Sequence, residues 1–314
     1  MNDSNGGNNT TSHPYTGIRL LASISSFVLL AFFNLVINYT ILSVEKLRNQ
    51  ARFVLIFHLL FSGLVYFGMS SIFYLQSYLA WSVPEGFCLA LITGLMTSAS
   101  SILLTLTFMA LDRYCAICFP LKYSSFSQGY QPWITGLLAW ILALPIPLWL
   151  VLKENKNFYQ CELAAKPKGG EVAKILLVTC CSLLILFTYV QIFREGRRLG
   201  VLNRRNRIGT RTISMHGLQL AVYILPNFVN FIIYTLSSKN QDLFKGINYA
   251  FFSFAQCISP VIYGLRKEEL CEQLHLKFPC MVNNLKAFLE WTASTKKHCF
   301  RQQEYSQPQN GSSV

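Results

Sequence analysis

The sequence predicts an all-α membrane protein, a seven-transmembrane helix bundle with a short amphipathic eighth helix. Three observations predict it. Of 314 residues, 52% are hydrophobic and only 13% are charged, against about 25% charged in an ordinary soluble domain. Mean hydropathy is +0.36, so the chain has too few charges to coat a soluble surface of its size. The charges are also segregated: no Asp, Glu, Lys or Arg occurs in 20–44, 53–84, 86–111, 123–152, 175–193, 212–238 or 246–265. The same composition excludes a disordered chain, a collagen-like chain and a disulfide-stapled miniprotein.

Each element follows in order. Residues 1–18 form a polar tail, rich in Asn, Ser, Thr and Gly and expected outside the cell. No basic segment and small-residue cleavage site frame a short apolar run there, so the first span is expected to act as signal anchor. Asn2, Asn8 and Asn9 begin sequons and are candidate glycosylation sites, although an Asn-rich tail makes such triplets often by chance. Asn38 begins another but falls inside the first span.

Residues 19–265 hold the seven charge-free runs. Most reach the roughly 20 residues that a helix needs to cross a bilayer, and they lack the alternation of barrel strands. The last run is the weakest, because Asn248, Gln256 and Ser259 dilute it. Seven spans put the termini on opposite sides. With the N-terminus outside, the inner segments carry nineteen Lys and Arg and the outer segments eight. The positive-inside rule favours that orientation.

In 266–280, Leu270, Leu274 and Phe278 recur every four residues. This narrow apolar stripe is expected of an amphipathic helix on the inner leaflet. Cys271 and Cys280 are candidates for acylation there, and equally for ordinary thiols. Residues 281–314 form the cytoplasmic tail.

The net charge of +13 suggests nucleic acid until it is sorted by position. The stretch Arg194 to Arg211, with seven Arg, falls on the inner face, and no soluble fold is available to present it to DNA. It reads as topology plus contact with anionic lipid. A sharper reading adds an acidic signalling partner.

Ten cysteines invite a disulfide or metal reading. Cys115, Cys118, Cys271, Cys280 and Cys299 face reducing cytosol in this topology, and Cys180, Cys181 and Cys257 lie in spans as small hydrophobes. Cys88 and Cys161 alone fall outside, and two cysteines in an oxidising compartment suggest one bridge. It would tie the second outer loop to the top of span three as a lid. Cys115 and Cys118 have CxxC spacing without a second pair or a nearby His, so no metal is expected. No cofactor and no enzymatic activity are expected either, since there is no HExxH and no acidic pair at one depth.

The most specific text is Met109-Ala110-Leu111-Asp112-Arg113-Tyr114-Cys115-Ala116-Ile117-Cys118-Phe119-Pro120-Leu121. The helical rise of 1.5 Å per residue carries the chain about 37 Å from Cys88 to Arg113, from the outer to the inner edge of one helix. Taken alone, Asp112 and Arg113 are also what two interfacial charges ending a helix look like. In this setting the text resembles rhodopsin-like (class A) G-protein-coupled receptors, specifically their odorant-receptor branch. That branch typically shows MA-DRY-AIC-PL-Y here, which Leu121-Lys122-Tyr123 completes. Asn34 resembles the Asn of helix one, Trp140 the Trp of helix four and Tyr189 the Tyr near the inner end of helix five. His216 and Pro226 fit the odorant-receptor spacing in helix six. Ser259-Pro260-Val261-Ile262-Tyr263-Gly264-Leu265-Arg266 resembles the NPxxY ending continued as IYxLR. This stretch and Ala51-Arg52-Phe53-Val54-Leu55 look most like fish odorant-receptor-like proteins. The chain also departs from the pattern: Gly63 stands where helix two usually has Asp, and Ser259 replaces the Asn before Pro260. Tyr223-Ile224-Leu225-Pro226 lacks the Trp switch, and no acid at the inner end of helix six can lock Arg113.

The resemblance implies a plasma-membrane receptor, N-terminus extracellular and C-terminus cytoplasmic, that binds a small-molecule odorant-like ligand and activates a heterotrimeric G protein. It implies coupling through Asp112, Arg113, Tyr114, Tyr189, His216, Pro226, Pro260 and Tyr263. It also implies a pocket in the outer half of the bundle, lined by Leu95, Met96, Ala99 and Ser100. Tyr223, Asn227, Phe228, Phe231, Tyr249, Phe252 and Ser253 would line the other side. Leu95 stands where amine receptors carry Asp, and no ionisable group lies at that depth. A small neutral ligand fits such a lining, because a buried charge would need a partner. For each of these residues plain helix packing is the competing reading. His58 is expected to be a hydrogen-bonded packing residue rather than a proton relay, and His216 a contact across the inner bundle.

Rival classes fare worse. A transporter or channel usually buries charges along a pathway and often shows internal repeats, and neither is found. The nearer rival is a rhodopsin-like receptor for a lipid or peptide, which the five Lys and three Glu of the second outer loop leave open.

Overall fold

The computed structural model describes residues 16–79, 81, 83–120, 123, 131–153, 168–198, 217, 221, 224–226, 228, 229, 232, 241–266 and 268–284. These residues are helical apart from short connections, and no strand forms among them. The elements are α1 (Thr16–Ser43), α2 (Glu45–Arg48), α3 (Ala51–Leu79), α4 (Glu85–Cys118), α5 (Gln131–Ala143), α6 (Pro145–Lys153), α7 (Lys168–Arg198), α8 (Gln241–Arg266) and α9 (Glu268–Lys277). The described positions between 217 and 232 are helical and belong to the sixth span.

Among the described residues, five helices are long and apolar enough to cross a membrane: Thr16–Ser43, Ala51–Leu79, Glu85–Cys118, Gln131–Trp149 and Val172–Arg198. The fourth combines α5 and α6. It is interrupted at Leu144, because Pro145 pushes the residue before it out of helical geometry. The ladder resumes when the Leu148 N–H donates to the Leu144 carbonyl at 3.1 Å. α8 is less apolar because it carries Asn248 and Gln256, and both are buried. Its polar residues therefore serve the bundle rather than weaken a lipid-facing surface.

α1 lies against α3 and α8, while α4 packs on α3, α5, α6 and α7. Leu21, Val28, Phe32 and Leu35 of α1 and Leu176, Leu183 and Leu186 of α7 point outward and are exposed. Apolar faces of that extent are what a bilayer covers. Between helices the contacts are polar and short. Asn34 Nδ2 donates to the Leu30 carbonyl at 2.8 Å and across to the Leu60 carbonyl at 3.0 Å. Ser62 and Ser101 share a hydrogen bond of 3.1 Å between α3 and α4. Where no hydrophobic drive acts between helices, small residues and such bonds hold the bundle.

The apolar stripe of α9 meets protein, not only membrane. Leu270 and Leu274 are buried in the inner core that contains Ile41, Leu47 and Phe53. Helical residues continue through 279–284, where Val282 joins the same core. The Arg52 guanidinium pairs with the Glu269 carboxylate at 2.8 Å, and the Lys277 ammonium lies 4.9 Å from the centre of the Tyr39 ring. Cys271 is 1% exposed, so of the two acylation candidates only Cys280 faces outward.

Candidate functional site

The C-terminal end of α4, which the sequence reading puts on the inner side, carries Asp112, Arg113 and Tyr114. The helix turns about 100° per residue, so neighbouring side chains diverge, and the Arg113 guanidinium stands 3.6 Å from the Asp112 carboxylate. The other Asp112 oxygen accepts a 2.7 Å hydrogen bond from the Tyr123 hydroxyl. Burial, and next the negative charge of Asp112, push the Tyr123 phenol well above its ordinary range. It therefore stays a donor at neutral pH. Tyr114 meets Phe119 edge to face at 5.8 Å.

Tyr189 of α7 packs against the inner core. A Cβ added to Gly217 would stand 3.3 Å from its ring, so the sixth span comes up against α7 there. The neighbouring His216 lies outside the described residues. Pro226 is buried, and its carbonyl accepts a 2.8 Å hydrogen bond from Asn248 of α8. Pro260 is buried within α8. Tyr263 belongs to α8, with its side chain outside the described residues.

Gly63 of α3 faces α1 and α8. The neighbours that a Cβ at Gly63 would meet are the Gln256 amide oxygen at 3.7 Å and a Leu30 methyl at 3.8 Å. No acid occurs anywhere in 53–84 to replace the missing carboxylate.

His58 is buried, and neither ring nitrogen has a hydrogen-bond partner among the described residues. This corrects half of the expectation. His58 is a packing residue, held edge-on to Phe57 at 5.5 Å and Trp133 at 5.7 Å, but not a hydrogen-bonded one. Phe57 and Trp133 turn ring edges to it, and Gly136 of α5 lies against the imidazole, so its surroundings among the described residues are apolar.

In the outer half, Cys88 is in disulfide form and is buried with Ile92 against Phe73, Val83 and Met96. Cys161 lies outside the described residues. Leu95 and Ser100 are half-buried and Ala99 is exposed. Tyr249 and Phe252 gather with Tyr66 and Phe67 of α3, ring centres 5.8–6.4 Å apart for the Tyr66–Phe252, Phe67–Phe252 and Phe67–Tyr249 pairs. The Tyr249 hydroxyl shares a 2.7 Å hydrogen bond with Ser70. Ser253 is buried beside them on α8. Phe228 is exposed, while Tyr223, Asn227 and Phe231 lie outside the described residues, as do Asn2, Asn8 and Asn9. The described outer half thus brings together one group, Tyr249, Phe252 and Ser253, on the side facing α3.

Sequence reasoning assigned no role to Tyr123, Ser70 or Asn248. Tyr123 stood in the motif text, and Asn248 was visible as a polar residue in an apolar run. Ser70 carried no signal, since its partner is 179 residues away.

The sequence profile of the 7 transmembrane receptor (rhodopsin family) matches residues 33–263. Odorant receptor 131-2 of Danio rerio is 27% identical over 192 residues, 54% of this chain and 58% of that protein. Olfactory receptor 2K2 of Homo sapiens is 28% identical over 201 residues, covering 56% and 60%. Probable G-protein coupled receptor 148 of Homo sapiens is 22% identical over 207 residues, covering 60% of each. The chain thus spans about three-fifths of the length of the curated relatives it matches. The expected likeness to odorant receptors, a fish one included, is present. Apolar helices long enough to cross a membrane, and a profile match over most of the chain, place the protein in a class of receptors rather than enzymes. The chain belongs to the rhodopsin family of seven-transmembrane receptors.

Proposed function

We propose that the protein is a chemosensory odorant receptor of the plasma membrane that binds a small neutral ligand in the outer half of the bundle and activates a heterotrimeric G protein. The observation that carries this reading is the pairing of an aromatic and hydroxyl-bearing group in the outer half with a charged inner end. The described outer residues near α8 offer rings, hydroxyls and amides, Tyr249, Phe252 and Ser253 among them. The inner end offers Asp112, Arg113 and Tyr123 in contact. Ligand binding works by differential affinity for two arrangements of the helices. The sixth span pivots at Pro226, where a backbone hydrogen bond is missing, and uncovers a groove beside Arg113 and Tyr189. Tyr263 shifts alongside, and His216 couples the inner bundle. Arg197, Arg198, Arg204, Arg205 and Arg207 attract the acidic surface of the partner.

The same reading puts the N-terminus outside, with glycans at Asn2, Asn8 and Asn9 and a bridge from Cys88 to Cys161 over the pocket. Tyr223, Asn227, Phe228 and Phe231 would complete the wall opposite Leu95, Met96, Ala99 and Ser100. The test is a second-messenger assay in cells against an odorant panel, with surface staining as control. A dose-dependent odorant response supports the reading. A receptor at the surface that ignores odorants and answers lipids or peptides favours the second reading, for which the charged second outer loop speaks.

A further inference from the structure

We propose that Asn248 is a positioning residue that ties the hinge of the sixth span to α8, an inference that rests on the receptor reading above. Pro226 has no N–H, so the helix lacks one internal bond there and bends easily. Its carbonyl is nevertheless fixed from outside, by the Asn248 Nδ2 at 2.8 Å. Asn248 is itself buried. A primary amide in such a place destabilises the bundle unless it is bonded, and this carbonyl is what it bonds.

The next residue fixes α8 from another side. Tyr249 is bonded to Ser70 of α3, and consecutive helical residues point about 100° apart. α8 is thereby anchored to α3 through Tyr249 and to the sixth span through Asn248. A swing of the sixth span about Pro226 turns the carbonyl away and leaves the amide buried without its partner. The tie therefore belongs to one arrangement only, which is the differential contact that a two-state element requires. A ligand that moves Tyr249 or Phe252 acts on the hinge through a single adjoining residue.

The test uses the full-length receptor in cells. One readout is basal second-messenger signal per surface receptor. The other needs no G protein: the rate at which a membrane-impermeant maleimide labels Cys115 and Cys118 in inside-out vesicles, read by peptide mass spectrometry. Both thiols are free and half-buried at the end of α4 beside Asp112 and Arg113, and the proposed swing of the sixth span would uncover them. Asn248→Leu removes the donor and keeps the bulk. It should raise both readouts about fivefold, the factor that one net hydrogen bond gives a two-state balance. Asn248→Gln keeps a donor and should stay near wild type. Equal behaviour of the Leu and Gln variants means the residue only packs, and overturns the proposal, as does a Leu variant at the surface with wild-type labelling. Should the Leu variant be retained inside the cell, Asn248→Ala is read in the same two ways, and wild-type values overturn the tie. If no signal depends on Arg113 yet labelling rises in Asn248→Leu, the receptor reading fails and the tie stands. If signal depends on Arg113 and labelling is unmoved, the tie alone fails.

Discussion

The imidazole of His58 on α3 occupies the space directly in front of Gly136 on α5. A Cβ built on Gly136 would overlap the ring of His58, not the end of a flexible chain. Trp133, one turn earlier on α5, closes the same ring edge-on at 5.7 Å. Glycine at 136 is thus what lets α3 and α5 approach so closely. Gly136→Ala should destabilise the receptor by about 1–3 kcal/mol, the usual cost of overpacking a tight contact. Thermal melting of the detergent-solubilised protein measures it. Because the clash is with one side chain, His58→Ala in the Gly136→Ala background should recover part of the loss. Simple additivity of the two changes would mean the ring is not what Gly136 accommodates.

Tyr123 and Arg113 compete for Asp112. The phenol holds one carboxylate oxygen at 2.7 Å, while the guanidinium stands off at 3.6 Å from the other. Tyr123→Phe removes the nearer partner and should let Arg113 close on Asp112. On the proposed coupling role, an Arg113 held more firmly is less available to a G protein. Basal signal per surface receptor should fall by up to about tenfold, as expected from redistributing one charge-assisted hydrogen bond. An unchanged or raised signal would show that Tyr123 does not set the position of this pair.

Much of this was legible in the residues. Charge-free runs marked the spans, although the break at Leu144 in span four came only with the structure. What stayed hidden was pairing. That Asn34 reaches the Leu60 carbonyl, or that Ser70 meets Tyr249, depends on which faces of distant helices turn towards each other. Spacing within one helix carries no such information. The stripe of Leu270 and Leu274 is a clear case. Its period was readable, but a period does not say whether the apolar face meets lipid or protein, and here it meets the inner core. Polar residues in a span were equally ambiguous. Asn248 and Gln256 made the last span look weak, although both are buried inside the bundle.

The two kinds of contact that hold α9 should differ in weight. The Arg52–Glu269 pair is short, but both side chains are about one-third exposed, at 30% and 37%. Exposed pairs contribute roughly 0–1 kcal/mol, so Glu269→Gln should shift the melting temperature little. Leu274→Ala empties a fully buried site and should destabilise by about 2–5 kcal/mol. Similar effects from the two variants would mean that the ion pair, not the buried stripe, anchors α9. Thiol labelling gives an independent check: Cys280 should react in the folded protein and Cys271 only after unfolding.

Arg113→Ala separates coupling from folding. The guanidinium is about one-quarter exposed, with 26% of its side chain accessible, and its pairing with Asp112 is a loose 3.6 Å. Asp112 keeps its hydrogen bond from Tyr123 when Arg113 is removed, so no buried carboxylate is left without a donor. The variant should therefore reach the cell surface in near-normal amounts. Its second-messenger signal should drop about tenfold to a hundredfold, the loss expected when one or two charge-assisted hydrogen bonds to a partner disappear. Arg113→Lys keeps the charge but loses the planar, multi-donor fork, and should recover only part of the signal. Retention of full signalling by Arg113→Ala at normal surface density would remove Arg113 from the coupling machinery.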